Sequence, residues 1–381
     1  MIAMEEKEKK VEYIELIYDL IFVYIIGRNN SLLHHISNGF IDLNIFLTYI
    51  LTTLIVLQIW YSMTLYINRY GENDKKLYIG LFISMYLLYY MAEGTRVQWQ
   101  DYFVRYNIAW CLIVVILAIL YIIRLRQNSG AMPWEDAHIR FNIYVLLIQA
   151  VVIGISIPLF HVTGIAFSPI ALFLGIVLTL LGQKVNALSQ VDFPHLTERV
   201  MLYVVFTFGE MIIGISGYFE GGVSFNSIYF SLLAFLIVAG LFLSYGFVYD
   251  RILDRNMSTI GTGFMMIHIF LIAALNNITT ALEFMREEEV ALIPKNVFLV
   301  GSFLIYFVFL FLLEKYALSR CRANRKFFIK LIVISIVFVA VMLVFYKNSY
   351  ISIAMTMLYV YAVYALIYLY WKKQIRDSRS L

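Results

Sequence analysis

The feature that most restricts this chain is a succession of apolar runs long enough to cross a bilayer. They fall at about 14–35, 43–67, 77–93, 106–123, 141–159, 165–182, 200–218, 225–249, 260–284, 297–314, 327–346 and 350–371. Backbone amides inside lipid find no water, so runs of this length must close their hydrogen bonds within the segment, as helices. The alternating segments of about ten residues that build a membrane barrel are absent. The expectation is an all-α polytopic membrane protein of about twelve transmembrane helices. Twelve spans of roughly 20 residues take up about 240 positions, which leaves no room in 381 residues for a separate soluble domain. Composition agrees. The chain is 62% hydrophobic and 14% charged, against about 25% charged in soluble domains, which excludes a soluble globular protein, a disordered chain and a disulfide scaffold.

Charge sets the orientation. Of 29 Lys and Arg residues, all but six lie in the amino-terminal segment, the even-numbered loops or the carboxyl-terminal segment. Five, Arg96, Arg105, Arg286, Lys295 and Lys347, lie in the odd loops, and Arg28 lies within a span. The asymmetry puts both termini in the cytoplasm. It also accounts for the formal charge of +4 without nucleic acid, so membrane lipids are the expected surroundings. Oligomeric state cannot be read from the chain. The outer loops are mildly acidic, with Glu93 and Arg96 recurring as Glu283 and Arg286 at the outer mouth. Cys111 and Cys321, the only cysteines, fall in a span and a cytoplasmic loop, so no disulfide or thiolate metal site is expected. Glu15 and Asp19 interrupt the first apolar run and no small-residue cleavage pattern follows, so no signal peptide is expected.

The longest connection between halves, at 183–199, divides the chain into six spans plus six. The expected organisation is a cytoplasmic tail at 1–13, a six-helix repeat at 14–182, a connector at 183–199, a second repeat at 200–371 and a tail at 372–381. Polar positions recur across the division: Glu15 with Glu198, Tyr66 and Arg69 with Tyr249 and Arg251, Glu93-x-x-Arg96 with Glu283-x-x-Arg286. Because six spans return the chain to the same side, such repeats would be parallel.

Two charges lie far from either interface, Arg28 in the first span and Glu210 in the seventh. Each is about 18 to 20 Å along its helix, at 1.5 Å per residue, from the equivalent residues Glu15 and Glu198. A charge at that depth needs a partner or a wet cavity, which makes Glu210 the expected partner of Arg28. The pair reads either as a substrate or proton site or as a static lock between halves. His268, Asn276 and Asn277 are further polar insertions in a span, suited to interhelical bonding or to ligand contact.

Near the cytoplasmic end, Glu15 and Asp19 are four residues apart and share a helix face. They could bind a cation or proton, but basic residues of the same interface, Arg69, Arg199 and Arg251, offer static pairing, with Glu198 as the equivalent acid. His34 and His35 are adjacent, point apart and suit no single metal. Tyr89, Tyr90, Trp99, Tyr102, Tyr106 and Trp110 read as an interfacial aromatic belt. No catalytic triad, HExxH, phosphate loop or cysteine cluster occurs, and no cofactor or metal is called for.

Three ordered stretches carry a resemblance. Glu15-Leu-Ile-Tyr-Asp19-Leu-Ile-Phe-Val, then Asn68-Arg69-Tyr70 with Asp74, and then His195-Leu-Thr-Glu198-Arg199 through Gly209-Glu210 resemble motifs of the bacterial low temperature requirement A family. Phe208, Met211 and Asn73 depart from its pattern. The resemblance implies a bacterial inner-membrane protein linked to growth in the cold, and names no substrate. The leading expectation is a secondary transporter of a small solute or ion with a central site at Arg28 and Glu210. The alternatives are a cation channel on the same duplicated unit and a lipid-handling membrane protein.

Overall fold

The computed structural model describes residues 9–95, 99–128 and 133–377. Its elements are α1 (Tyr13–Asn30), β1 (Ile36–Ser37), β2 (Phe40–Ile41), α2 (Leu43–Tyr70), α3 (Lys75–Glu93), α4 (Trp99–Asn128), α5 (Pro133–Thr163), α6 (Pro169–Leu181), the single turn α7 (Gln183–Asn186), α8 (Phe193–Ile215), α9 (Phe225–Phe247), α10 (Thr262–Phe284), α11 (Leu292–Leu312), α12 (Arg325–Val344) and α13 (Ser349–Asp377). The all-α expectation holds, apart from one small hairpin.

Among the described residues, nine helices are long and apolar enough to cross a membrane. The other three expected spans are helical but fall short for separate reasons. Helix α1 carries Glu15, Asp19 and Arg28. Helix α3 has Lys75, Lys76 and Glu93 at its ends and four tyrosines, Tyr78, Tyr86, Tyr89 and Tyr90, among its 19 residues. Helix α6 has only 13 residues, about 20 Å against a hydrocarbon core of about 30 Å. The first apolar run also stops being α-helical at Asn30. A turn of 3₁₀ helix and a hairpin follow, because Asn38 and Gly39 both adopt positive φ, 51° and 83°, the conformation of a two-residue hairpin turn.

The chain forms two compact units. The first comprises residues up to His35, Leu43–Tyr203 and Ser258–Gly263; the second comprises Ile36–Asp42, Val204–Met257 and Phe264–Leu381. In the first, α1 packs on α2 and α3, α4 lies between α3 and α5, and α6 lies on α5. In the second, α13 packs on both α9 and α12. Large apolar side chains remain exposed along the helices, among them Phe82, Ile155, Ile336 and Val337. A soluble protein does not present so continuous an apolar surface; lipid tails are the solvent that fits it.

Candidate functional site

The most densely bonded polar group in the first unit lies where α1 meets the start of α8. Asp192 caps α8, its carboxylate accepting from the backbone N–H of His195 at 3.1 Å, and Pro194 occupies the first turn, where a missing N–H costs nothing. This start fixes the phase of the helix, so His195 and Arg199, four residues apart, share one face. Glu15 and Asp19, with the same spacing on α1, meet them rung for rung.

The lower rung joins His195 and Glu15, with Nε2 and Oε1 3.3 Å apart. Its tautomer follows from Asn68 on α2. The Asn68 Oδ1 accepts from the Asp192 N–H at 3.0 Å and its Nδ2 donates to the Asp192 carbonyl at 2.9 Å. That same Nδ2 is 2.9 Å from His195 Nδ1. Nδ1 must therefore accept, and Nε2 carries the hydrogen donated to Glu15. On the upper rung Arg199 donates from Nη1 to Glu15 at 3.0 Å, and from Nη2 and Nε to the two oxygens of Asp19 at 2.8 and 3.1 Å. Trp60 Nε1 adds a fourth donor, to Asp19 Oδ1, at 3.0 Å. All four ladder side chains are fully buried. So many charge-assisted bonds are what permit two carboxylates and a guanidinium to be buried together. Tyr18, also wholly buried, brings to this region a hydroxyl with no hydrogen-bond partner among the described residues.

Two cations frame the ladder. Lys9, ahead of α1, donates to the carbonyls of Ile67 at 2.6 Å and Gly71 at 3.0 Å, satisfying the end of α2. Burial pushes its ammonium below the usual lysine range, an effect opposed first by the Glu15 charge and then by Asp192. Arg69 donates to the backbone carbonyls of Ser189 and Ile260, both at 3.0 Å. The expected cluster is thus brought together only in part. Glu15, Asp19 and Arg199 meet. Arg69 serves backbone oxygens, Glu198 is exposed one residue off the ladder face, and Arg251 is exposed in the second unit. His195 and Trp60 are members that charge counting does not reveal, although the four-residue spacing of His195 from Arg199 is visible in the chain.

Elsewhere, Arg28 stands in the last turn of α1, and its Nη2 lies 3.8 Å from Glu93 at the end of α3. Tyr24 donates to the same carboxylate at 2.5 Å. Glu210 is half-buried within α8, in the part that belongs to the second unit. His268 bonds α10 to α9: its Nδ1 donates to the Phe264 carbonyl at 2.9 Å, and its Nε2 accepts from Tyr245 at 3.3 Å. Asn276 is buried and Asn277 half-buried. Glu283 lies against Gly214, and Arg286 donates to the Gly217 carbonyl and to Glu220. Arg96 lies outside the described residues. Among the described residues, no group of three or more His, Cys, Asp or Glu could hold a metal ion.

Residues 10–365 match the model of the bacterial low temperature requirement A protein (LtrA) family. No curated protein and no solved structure matches the chain.

Proposed function

The chain belongs to the bacterial low temperature requirement A family, and on that premise we propose that it is a secondary transporter of a small solute or ion with Glu210 at its working centre. The proposal includes twelve spans in two parallel sets of six, with both termini in the cytoplasm of a bacterial cell and the protein in its inner membrane. In this proposal α1, α3 and the short α6, extended by the single turn α7, take the remaining places.

The observation that carries this reading is the state of Glu210. Other charges within the helices have counter-charges: the buried Glu15 and Asp19 share Arg199, and Arg28, in the last turn of α1, has Glu93. No hydrogen bond or ion pair among the described residues reaches Glu210, the single charged residue between Val200 and Ile215. A lone carboxylate at such depth costs several kcal/mol unless it takes up a proton or meets a cation. Its binding capacity is the use that offsets this cost. In this reading the ladder is a rigid foot for α8 and α1. Arg28, His268, Asn276 and Asn277 are the further polar groups assigned to the route.

Reconstitution into liposomes tests this. Gradient-driven uptake or counterflow across a panel of small solutes and ions should find at least one transported species, and Glu210→Gln should abolish its flux. Absence of flux across the panel, or full flux in that variant, would refute the assignment.

Lipid handling is the second reading. It is favoured by an open apolar cavity of about 800 Å³ in the second unit between α11 and α12, whose lining includes Ser335 and Tyr359. Lipid co-purifying stoichiometrically and lost on Ser335→Phe would favour it over transport.

A further inference from the structure

Charge asymmetry leaves five basic residues in the outer loops, and two of them, Arg286 and Lys295, line a single open cavity of about 580 Å³ in the second unit. The cavity lies among the end of α8, the start of α9, the α10–α11 connection and the starts of α11 and α13. One wall is aromatic and braced. The Phe230 ring stacks on Tyr218 and meets Tyr350, with centroids 6.0 and 5.0 Å apart, and the Tyr350 hydroxyl donates to Asn226 at 2.7 Å. A volume of this size suits a small polar ligand or a lipid headgroup.

Lys295 gives part of this cavity a preference for anions. It is 4% exposed, and among the described residues its ammonium makes a single hydrogen bond, to the Glu287 carbonyl at 2.7 Å. An ammonium carries three hydrogens, so two remain for a ligand. Lys295 also stands in the first turn of α11, a helix that starts without a side-chain cap, where the positive end of the helix dipole opposes a cation. Arg286 adds a second positive charge, held at the end of α8 by the Gly217 carbonyl and Glu220. An anionic group beside Lys295 offsets these like charges. Glu287 and Glu288 line the same cavity, however, and their charges act on Lys295. With two charges of each sign around it, a bare anion is repelled by the carboxylates, whereas a zwitterion presents them with an ammonium.

The rim is apolar. Phe225 and Ile228 on α9, and Leu292 and Ile293 on α11, are exposed beside the polar lining. On helices that cross a bilayer, exposed side chains of this kind lie against acyl chains. We propose that the cavity binds the zwitterionic headgroup of an aminophospholipid, with its phosphate on Lys295 and the start of α11, its ammonium on Glu288, and its chains along the apolar rim. On the proposed topology this lipid belongs to the outer leaflet. A free phosphoethanolamine ester shares the headgroup chemistry; the apolar rim is what selects the lipid. The cavity shares no lining residue with the one between α11 and α12. The inference goes beyond the transporter reading and stands whether or not Glu210 moves a solute.

The test is native mass spectrometry of the purified full-length protein, titrated in detergent with dioleoyl phosphatidylethanolamine, phosphatidylcholine or phosphatidylglycerol. Saturable binding of the ethanolamine lipid, tighter than that of the other two, is expected. The choline headgroup has no N–H for Glu288, and the glycerol headgroup has no cation. Lys295→Met should weaken binding by about tenfold. Glu288 is exposed, so Glu288→Gln should fold normally and lose the preference for ethanolamine over glycerol. Arg105→Gln, which removes an outer basic residue of the first unit, should change nothing. No saturable binding, equal binding of the three lipids, or an ethanolamine preference that survives both Lys295→Met and Glu288→Gln would overturn the proposal. Displacement of the lipid by an equal concentration of glycerophosphoethanolamine would also overturn it, by assigning the site to a free zwitterion.

Discussion

Arg199 grips Asp19 through two parallel bonds of 2.8 and 3.1 Å, joining residues 180 positions apart with both side chains fully buried. A fork of this kind needs a planar guanidinium. Arg199→Ala leaves two buried carboxylates without their cation and should cost about 3–5 kcal/mol. Arg199→Lys restores the charge but not the fork, so its melting temperature in detergent should fall between that of the parent and Arg199→Ala. A lysine variant as stable as the parent would show that charge alone, without geometry, holds α1 to α8.

Tyr18 offers a prediction of opposite sign. Its buried hydroxyl has no hydrogen-bond partner among the described residues, and an unsatisfied buried polar group costs about 1–3 kcal/mol. Tyr18→Phe keeps the ring and its edge contact with Phe22 at 5.1 Å, so it should be neutral or stabilising by thermal melting. A marked drop in stability would mean that the hydroxyl is engaged in the native protein.

Lys9 gives a pH dependence. Its folded pKa is lowered by burial, so just below the ordinary lysine value the folded protein releases this proton while the unfolded chain still holds it. The unfolded state then binds more protons, and stability rises with pH through that window. The penalty is fully present below the folded pKa and is lifted as pH climbs above it. Melting curves between about pH 8 and 10.5 should show this rise in the parent relative to Lys9→Met. Parallel curves for the two proteins would contradict it.

The helices were legible because lipid imposes one rule on every span: a long apolar run must satisfy its own backbone. The hairpin after α1 lies in the connection at 36–42 between two expected spans, where a search for long apolar runs does not weigh a turn signal such as Asn38-Gly39. At the site, Glu15 and Asp19 were found by their spacing, but Arg69, Arg199 and Arg251 were indistinguishable as partners. Choosing among them needs the phase of α8, set by Asp192 and Pro194, which turns Arg199 inward and leaves Glu198 exposed. His195 escaped a search for charge because a neutral imidazole contributes only a hydrogen bond. Depth along a helix can be counted in the sequence, and depth alone pairs Arg28 with Glu210. The contact of Arg28 with Glu93 depends on how α1 and α3 pack, which cannot be counted.

The central claim is that Glu210 is the working carboxylate of a transporter, and its most direct test is charge displacement on a solid-supported membrane. A rapid jump in ion or solute concentration should give a transient current with the parent protein and with Glu198→Gln, and none with Glu210→Gln. Equal currents from the parent and Glu210→Gln would contradict the account.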